Sequence, residues 1–360
     1  MAILRPTDVI KRRYAAWSDA IAKNVIDVEK PKQAGEIDLS DAYEGSRLLL
    51  GEYVTLDWLH REDVLKLIRT IRLYASDRSR RRPLNIIMRA ESGSGKSHFV
   101  KCLARKLGSF YATAIDFNMA NLQGIEDLAI PLDAVRNQKV QDRLPILFLD
   151  EFDSDAAKYP ILLPLLWDGE LHIAHRDLKV GKVVIVLAGS SSRIEKAMKE
   201  GKSMREAAVA HEDKLPDLLS RINGGELDIP SLELVARERD RRVDKVCLSI
   251  ALLHHRFGLT LELVPWRLLK FIVANRFRYG VRSIAHLIDL LPPREDDTSE
   301  LKIDALPLST SERLKGSSLA YHLLAEDGPT AVIDQWKELA DVKVQVRVMP
   351  KEEDDEITLT

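Results

Sequence analysis

The feature that most constrains the fold of this chain is a short loop of small residues that ends in Lys-Ser. Its residues are Ala90, Glu91, Ser92, Gly93, Ser94, Gly95, Lys96 and Ser97. The apolar run 84–89 before the loop predicts a buried strand, and the spacing of apolar residues over 98–107 predicts a helix after it. Such a loop directs backbone N–H groups at an anion, and the dipole of the following helix favours negative charge there. The sequence therefore predicts a phosphate-binding loop.

The end of this loop carries the side chains that a nucleoside triphosphate requires. Lys96 is placed to reach the β- and γ-phosphates, and the Ser97 hydroxyl is placed to ligate Mg²⁺. The general pattern begins with glycine where this chain has Ala90, and alanine allows fewer backbone angles. Gly93 and Gly95 remain, so we expect the loop to form. The alternative is an ordinary turn that contains Gly-Lys-Ser by chance, and the flanking strand and helix argue against it.

A second buried strand, predicted over residues 144–149, ends in two carboxylates. Open α/β sheets bind their ligands at the carboxyl ends of the strands. We therefore expect Asp150 to hold Mg²⁺, directly or through water, and Glu151 to polarise the water that attacks the γ-phosphate. Further apolar strands alternate with helices over 84–229, a pattern typical of a parallel sheet covered on both faces.

The composition narrows the class of protein. The 360 residues contain 54 Lys and Arg against 56 Asp and Glu, a net charge of −2 that argues against a general binder of polyanions. The two cysteines, Cys102 and Cys247, form no disulfide framework, which fits a reducing cytoplasm. No apolar run reaches the length of about 18 residues that a membrane span needs, and the start lacks the apolar segment of a signal peptide. We expect a soluble cytoplasmic protein with no membrane partner.

Five elements, in this order, resemble those of AAA+ ATPases. The loop Ala90–Ser97 resembles Walker A, residues 147–151 resemble Walker B, residues 187–190 resemble the strand end with sensor 1, residues 217–221 resemble the arginine-finger segment, and residues 280–283 resemble the start of the sensor 2 helix. The resemblance covers about 49–292. It implies an α/β fold, in which a P-loop NTPase three-layer αβα parallel sheet is followed by a small helical lid domain. It also implies ATP and Mg²⁺ as ligands.

The resemblance implies three further site residues. Arg282 would contact the γ-phosphate from the lid, and Arg221 would reach into the site of a neighbouring subunit, so the chain would form an oligomer, commonly a ring of six. A surface arginine at a helix end is the alternative for Arg221, and an ordinary arginine near a helix N-terminus is the alternative for Arg282. Sensor 1 is often asparagine in the family, whereas this chain offers Ser190 or Ser191.

The domain organisation follows from the same pattern. We expect an N-terminal extension over residues 1–45, the nucleotide-binding domain over 46–232, the helical lid over 233–293, and a C-terminal extension with an acidic tail over 294–360. Three tryptophans, Trp167, Trp266 and Trp336, are interpreted as core or interface residues.

Two functions remain open at this point. In the first, ATP hydrolysis in an oligomer drives the remodelling of a macromolecular partner, protein or nucleic acid. In the second, ATP gates a DNA-binding or signalling scaffold that hydrolyses slowly. The basic linker 77–83 motivates the DNA-binding version, because clustered arginines neutralise phosphates, although a solvated loop is the simpler interpretation. An unfoldase is less favoured, since residues 117–124 lack an aromatic–hydrophobic–Gly pore loop.

Overall fold

The structure, a computed structural model, describes residues 6–31, 37–91, 93–108, 114–141, 143–173, 176–189, 214–236, 239–295, 298–304, 306 and 329–348. Two units make up the chain. We call Leu59–Ser231 the sheet unit, and Met1–Trp58 together with Leu232–Thr360 the helical unit. Among the described residues, no helix combines the length and the apolar character needed to cross a bilayer.

The α-helices are numbered here in chain order. They are α1 (Pro6–Ile21), α2 (Ser40–Arg47), α3 (Trp58–Ser76), α4 (Lys96–Leu107), α5 (Ala129–Val140), α6 (Tyr159–Asp168), α7 (Leu215–Leu219), α8 (Arg242–Phe257), α9 (Trp266–Ala274), α10 (Val281–Asp289) and α11 (Pro329–Glu338). A π-helical turn, Ala22–Ile26, continues α1, and short 3-10 turns span Met119–Asn121, Ile125–Leu128 and Ala156–Lys158.

The strands are numbered in the same way. They are β1 (Ile37–Asp38), β2 (Leu84–Ala90), β3 (Ile115–Asn118), β4 (Ile146–Asp150), β5 (Glu170–Ile173), β6 (Arg176–Lys179), β7 (Val184–Gly189), β8 (Glu226–Ile229), β9 (Val235–Ala236), β10 (Arg239–Asp240), β11 (Leu263–Pro265) and β12 (Lys343–Gln345).

The sheet unit is built on a five-stranded sheet in the order β3-β4-β7-β2-β8, with every pairing parallel. Its three central strands β4, β7 and β2 are almost entirely buried, because helices cover a parallel sheet on both faces. The carboxyl ends of β2, β4 and β7 lie at one edge, where open α/β sheets place their ligands. The predicted P-loop αβα fold is confirmed. The strands β5 and β6 form a small antiparallel hairpin outside this five-stranded sheet.

One detail of the predicted helices is wrong. The sequence pattern predicts a helix over 124–142 that is interrupted at Pro131. In the structure the backbone changes from the 3-10 turn Ile125–Leu128 to α5 at Ala129, and Pro131 lies inside the first turn of α5. A proline is tolerated there because the first N–H groups of a helix have no partner within the helix. Pro131 therefore helps to begin a helix.

The helical unit is not made from the lid helices alone. Its apolar core combines α8, α9 and α10 with residues from α1, α2 and the segment 301–306. The strand β12 lies between β1, which is parallel to it, and β11, which is antiparallel. Val344 of β12 and Trp336 of α11 are buried in that same core. Segments that the sequence separates as lid, N-terminal extension and C-terminal extension thus share one core.

Buried charges connect two distant segments within the helical unit. The guanidinium of Arg241 lies 2.9 Å from Asp244 and 3.5 Å from Asp57. Asp244, which is only 1 % exposed, also accepts a hydrogen bond from the backbone N–H of Leu56. Each ion is thus matched by an opposite charge and by hydrogen bonds, the condition under which a charge is stable in a core.

Candidate functional site

The phosphate loop has the predicted placement between β2 and α4. Gly93 and Gly95 have φ of +79° and +88°, left-handed values that glycine adopts without strain. The first turn of α4 opens with the N–H of Phe99 donating to the Gly95 oxygen at 2.9 Å. Ala90 is the last residue of β2 and pairs with Ile229 of β8. The departure from glycine at the first position is therefore accommodated, because an extended strand residue needs no special backbone freedom.

The loop contains an unsatisfied polar atom, as expected of a site for an anion. The hydroxyl oxygen of Ser94 is buried and has no hydrogen-bond partner among the described residues. Buried polar groups are normally paired, so an unpaired one inside a loop of backbone N–H groups fits a phosphate oxygen as its partner. Glu91 is exposed, Ser97 is half-buried in the first turn of α4, and Ser92 lies outside the described residues.

The structure brings Lys96 and Asp150 together. The Lys96 Nζ lies 3.5 Å from an oxygen of Asp150, and both side chains are largely covered, with 12 % and 20 % exposure. Asp150 ends β4 and accepts the backbone N–H of Glu151 at 2.9 Å. A cation and a carboxylate thus meet beside the loop. The Asp150 carboxylate and the Ser97 hydroxyl are oxygen ligands of the kind that Mg²⁺ prefers.

Glu151 stands in a strained backbone conformation. Its φ is +52°, the one positive value recorded for a residue other than glycine among the described residues. Such a conformation costs about 1–3 kcal/mol and occurs preferentially at functional sites. The Glu151 side chain is exposed, and its carboxylate accepts a hydrogen bond from Asn118 Nδ2 at 3.3 Å. The strained turn therefore directs the carboxylate away from the β4 strand and toward Asn118.

Sequence reasoning missed Asn118 and Asp116. Asn118 is the last residue of β3 and pairs in register with Asp150, so its side chain lies at the same edge of the sheet. Asp116, also on β3, lies 3.7 Å from Lys101. The pKa of Asp116 is raised, mainly by burial and also by the nearby Asp150 charge, and the charge of Lys101 offsets part of this effect. The available signal was the polar end of the strand 115–118, but its significance depends on the pairing of β3 with β4.

One of the remaining predicted residues, Arg221, does not lie at this edge of the sheet. Arg221 follows α7, and its carbonyl accepts a hydrogen bond from the side chain of Asn85, the second residue of β2. It therefore lies near the amino end of β2, whereas the phosphate loop follows the carboxyl end. Arg282 is exposed in the first turn of α10, in the helical unit. Ser190, with the alternative Ser191, lies outside the described residues.

Comparisons with known proteins identify similar folds only. No family model matches the chain, and no curated protein matches it. Solved structures that are similar include NtrX from Brucella abortus in complex with ADP, at 17 % identity and a TM-score of 0.43, covering 67 % of this chain and 52 % of that one. The ATP complex of the same protein gives 17 % identity and a TM-score of 0.44, covering 67 % and 54 %.

The Hsp104–ADP complex of S. cerevisiae is also similar, at 16 % identity and a TM-score of 0.36, covering 61 % of this chain and 44 % of that one. The chain thus spans about half the length of the structures it matches. The P-loop fold itself follows from this chain's own sheet order and phosphate loop.

Proposed function

We propose that this chain is an ATPase of the AAA+ type, which binds ATP with Mg²⁺ at the phosphate loop and hydrolyses it within an oligomer to remodel a macromolecular partner. The observation that carries this proposal is the approach of Lys96 to Asp150, 3.5 Å apart, beside a loop with an unpaired buried hydroxyl. A cation, a carboxylate and a phosphate cradle at one sheet edge are the minimal set for phosphoryl chemistry.

Each residue at this edge has a distinct task. The loop 90–97 binds the phosphates through backbone N–H groups, and Lys96 neutralises the β- and γ-phosphates. Ser97 and Asp150 would hold Mg²⁺, which when bound neutralises charge on the phosphate oxygens. Glu151 orients and polarises the attacking water, and Asn118 fixes the Glu151 carboxylate by a hydrogen bond at 3.3 Å.

Two arginines complete the proposed machinery. Arg221 lies near the end of β2 opposite the phosphate loop of its own subunit, so its charge would act on ATP bound by a second subunit. A guanidinium there neutralises the charge that develops on the transferred phosphoryl group. Arg282 would sense the γ-phosphate from the helical unit, and Ser190 would orient water at the end of β7.

The direct test is phosphate release by the purified chain with ATP and Mg²⁺. We expect turnover by the native protein and none above background by Glu151→Gln, which should still bind ATP because the loop and Asp150 are intact. Glu170→Gln, which alters a half-exposed carboxylate on the hairpin of the same unit, is the matched control and should retain turnover. Equal turnover by Glu151→Gln and the native protein would refute the role of Glu151.

A second function, ATP-gated binding of nucleic acid, is favoured by one surface of the sheet unit. A cavity of about 450 Å³ is lined by Tyr74, Ser79, Asn223 and the arginines of the 80–82 run. Arg80 pairs with Asp77 at 3.4 Å, whereas Arg81 and Arg82 have no carboxylate partner among the described residues. Unpaired arginines in a cavity fit phosphodiester groups.

Gel shift of duplex DNA at low and high salt tests this second function. Binding that weakens steeply with salt, and that is lost when Arg81 and Arg82 become alanine, would support it. An unchanged shift with Arg136→Ala, a surface arginine on α5, is the control. The absence of any shift at low salt would exclude this surface as a nucleic-acid site.

A further inference from the structure

An exposed tryptophan in the sheet unit is flanked by two arginines. Trp167, near the end of α6, is 46 % exposed, so of the two interpretations from sequence it does not fit the core and stays a candidate interface residue. The guanidinium of Arg82 lies 4.3 Å from the centre of its ring, and that of Arg221 lies 5.9 Å from it. Both distances are within the range of cation–π attraction.

The buried side chain of Asn85 connects the backbone segments that carry Trp167 and Arg221. Asn85 is fully buried, and its Nδ2 donates to the carbonyl of Leu166 at 2.7 Å and to that of Arg221 at 2.9 Å. One amide group therefore connects the residue before Trp167 to the backbone of Arg221. Asn223 secures the other side, since its oxygen accepts the Asn85 N–H at 2.8 Å.

The two guanidinium charges are not neutralised by the described residues. Arg221 donates to the main-chain oxygen of Asp217, whose carboxylate lies 3.3 Å from Lys214. No carboxylate among the described residues pairs with Arg82 or Arg221. Two like charges held against one ring repel each other, so an anion bound between or beside them would stabilise the arrangement.

The position of this Trp167 cluster (Trp167, Arg82 and Arg221) indicates that an anion bound there does not come from the phosphate loop of the same chain. Along β2, five residue steps, or about 17 Å of extended chain, separate Asn85 from Ala90 at the start of the phosphate loop. The cluster thus lies too far from its own loop to touch nucleotide there. Exposed tryptophan with arginine is the composition enriched at the centres of protein interfaces.

We propose that Trp167 is a positioning residue that, together with Asn85, holds Arg221 and Arg82 toward the phosphates of ATP bound in a second copy of this chain. This inference rests on the proposed function and adds to it the residues that orient the trans-acting arginine. The ring supplies a flat surface that restricts the guanidinium without neutralising its charge. Arg82 becomes a second cation at the same phosphate group.

The experiment mixes two variants of the full chain with complementary defects. Trp167→Ala has an intact phosphate loop and a disrupted cluster, and Glu151→Gln has an intact cluster and no turnover. We expect Trp167→Ala alone to lower kcat at least tenfold, with KM for ATP and binding of a fluorescent ATP analogue changed less than twofold. An equal mixture should release phosphate well above the mean of the two separate variants, because an intact Arg221 then faces an intact site.

Further variants separate positioning from folding. Trp167→Phe keeps an aromatic face and should restore most of kcat, and Leu73→Ala, which removes an exposed apolar side chain on α3, should leave turnover and assembly unchanged. Light scattering with ATP gives a readout without hydrolysis: Glu151→Gln should assemble, and the double variant with Trp167→Ala should assemble less.

The outcomes distinguish the two proposals. A native protein that binds no ATP overturns both. A native protein that hydrolyses ATP, with Trp167→Ala equal to it in kcat or with a mixture that only averages the variants, overturns the role of Trp167 and leaves the ATPase. Loss of DNA binding by Trp167→Ala at unchanged turnover would also overturn it, in favour of a nucleic-acid surface.

Discussion

The two units of this chain use charged residues in opposite ways. The sheet unit places Lys96 at the start of α4 and Asp150 at the end of β4, both partly open, beside a loop with a buried hydroxyl that has no partner among the described residues. The helical unit encloses Arg241 and Asp244, 3 % and 1 % exposed, and gives each several partners. The comparison teaches that an ion pair by itself does not mark a site. The enclosed pair also contains a buried atom without a partner among the described residues, Nε of Arg241, so what distinguishes the candidate site is partial exposure beside a loop of backbone donors.

Lysines show the same contrast. Lys245 is fully buried and donates both to Glu233 and to the carbonyl of Asn275, each at 2.6 Å. The pKa of Lys245 is lowered, because burial outweighs the opposing effect of the Glu233 charge. Lys96 has one acidic neighbour at 3.5 Å and a loop of backbone donors beside it. The first lysine is committed to the fold, and the second is available to a ligand.

The largest effect is expected from breaking the enclosed pair. Asp244→Ala removes the nearer carboxylate of buried Arg241, which then keeps only the longer contact with Asp57 at 3.5 Å, and it removes the acceptor of the Leu56 N–H. Removing one partner of a buried pair costs about 3–5 kcal/mol, so the free energy of unfolding should fall by that amount. Urea denaturation measures it. A loss below about 1 kcal/mol, as for a surface pair, would show that the contrast between the units is wrong.

The next largest effect is expected at the open pair. Lys96→Ala removes the cation that would contact the phosphates, and a hydrogen bond to a charged group contributes about 1.5–3 kcal/mol. The affinity for ATP should therefore fall by about 10- to 100-fold. Isothermal calorimetry measures it. Stability should change little, and a Lys96→Ala protein that unfolds readily would contradict the assignment of this lysine to ligand binding.

A smaller effect is expected from Asn118, which sharpens the comparison within the sheet unit. Asn118→Ala removes the hydrogen bond to Glu151, and such a bond contributes about 0.5–1.5 kcal/mol. We expect kcat to fall by about threefold to tenfold, with the affinity for ATP unchanged. Asn118→Asp should reduce kcat further, since a second negative charge then faces Glu151. Unchanged kcat in both variants would remove Asn118 from the site.

The smallest effect concerns pH and the helical unit. Burial lowers the pKa of His254, whose Nε2 lies 3.0 Å from the Leu261 oxygen. Below a pH of about 6.5 the unfolded chain binds a proton that the folded protein resists, so the free energy of unfolding should decrease as the pH falls from about 6.5 toward the lowered pKa. His254→Phe should flatten this slope in urea titrations between pH 5 and 7. An equally steep slope in that variant would assign the effect to other groups.

The sequence predicted the parts of the site that are local in the chain. The phosphate loop and the Asp150–Glu151 pair are recognisable because strand, loop and helix are contiguous in sequence. Asn118 and the Trp167 cluster were missed because their neighbours are set by strand register and by Asn85, which bonds residues far apart in sequence. The shared core of the helical unit was missed for the same reason. The role of β12 depends on its pairing with β1 and β11, which lie far from it in sequence.

The buried contact of Asp244 with Leu56 and Arg241 has a consequence for how the protein is made. The chain enters the sheet unit after Trp58 and leaves it before Leu232, so the segments on both sides of the sheet unit belong to the helical unit. During synthesis the segment up to Trp58 therefore emerges before the sheet unit, and the segment that contains Asp244 emerges after it. Val54 and Leu56 of this segment share a core with α8, so that core is completed only after residues 242–257 have been made.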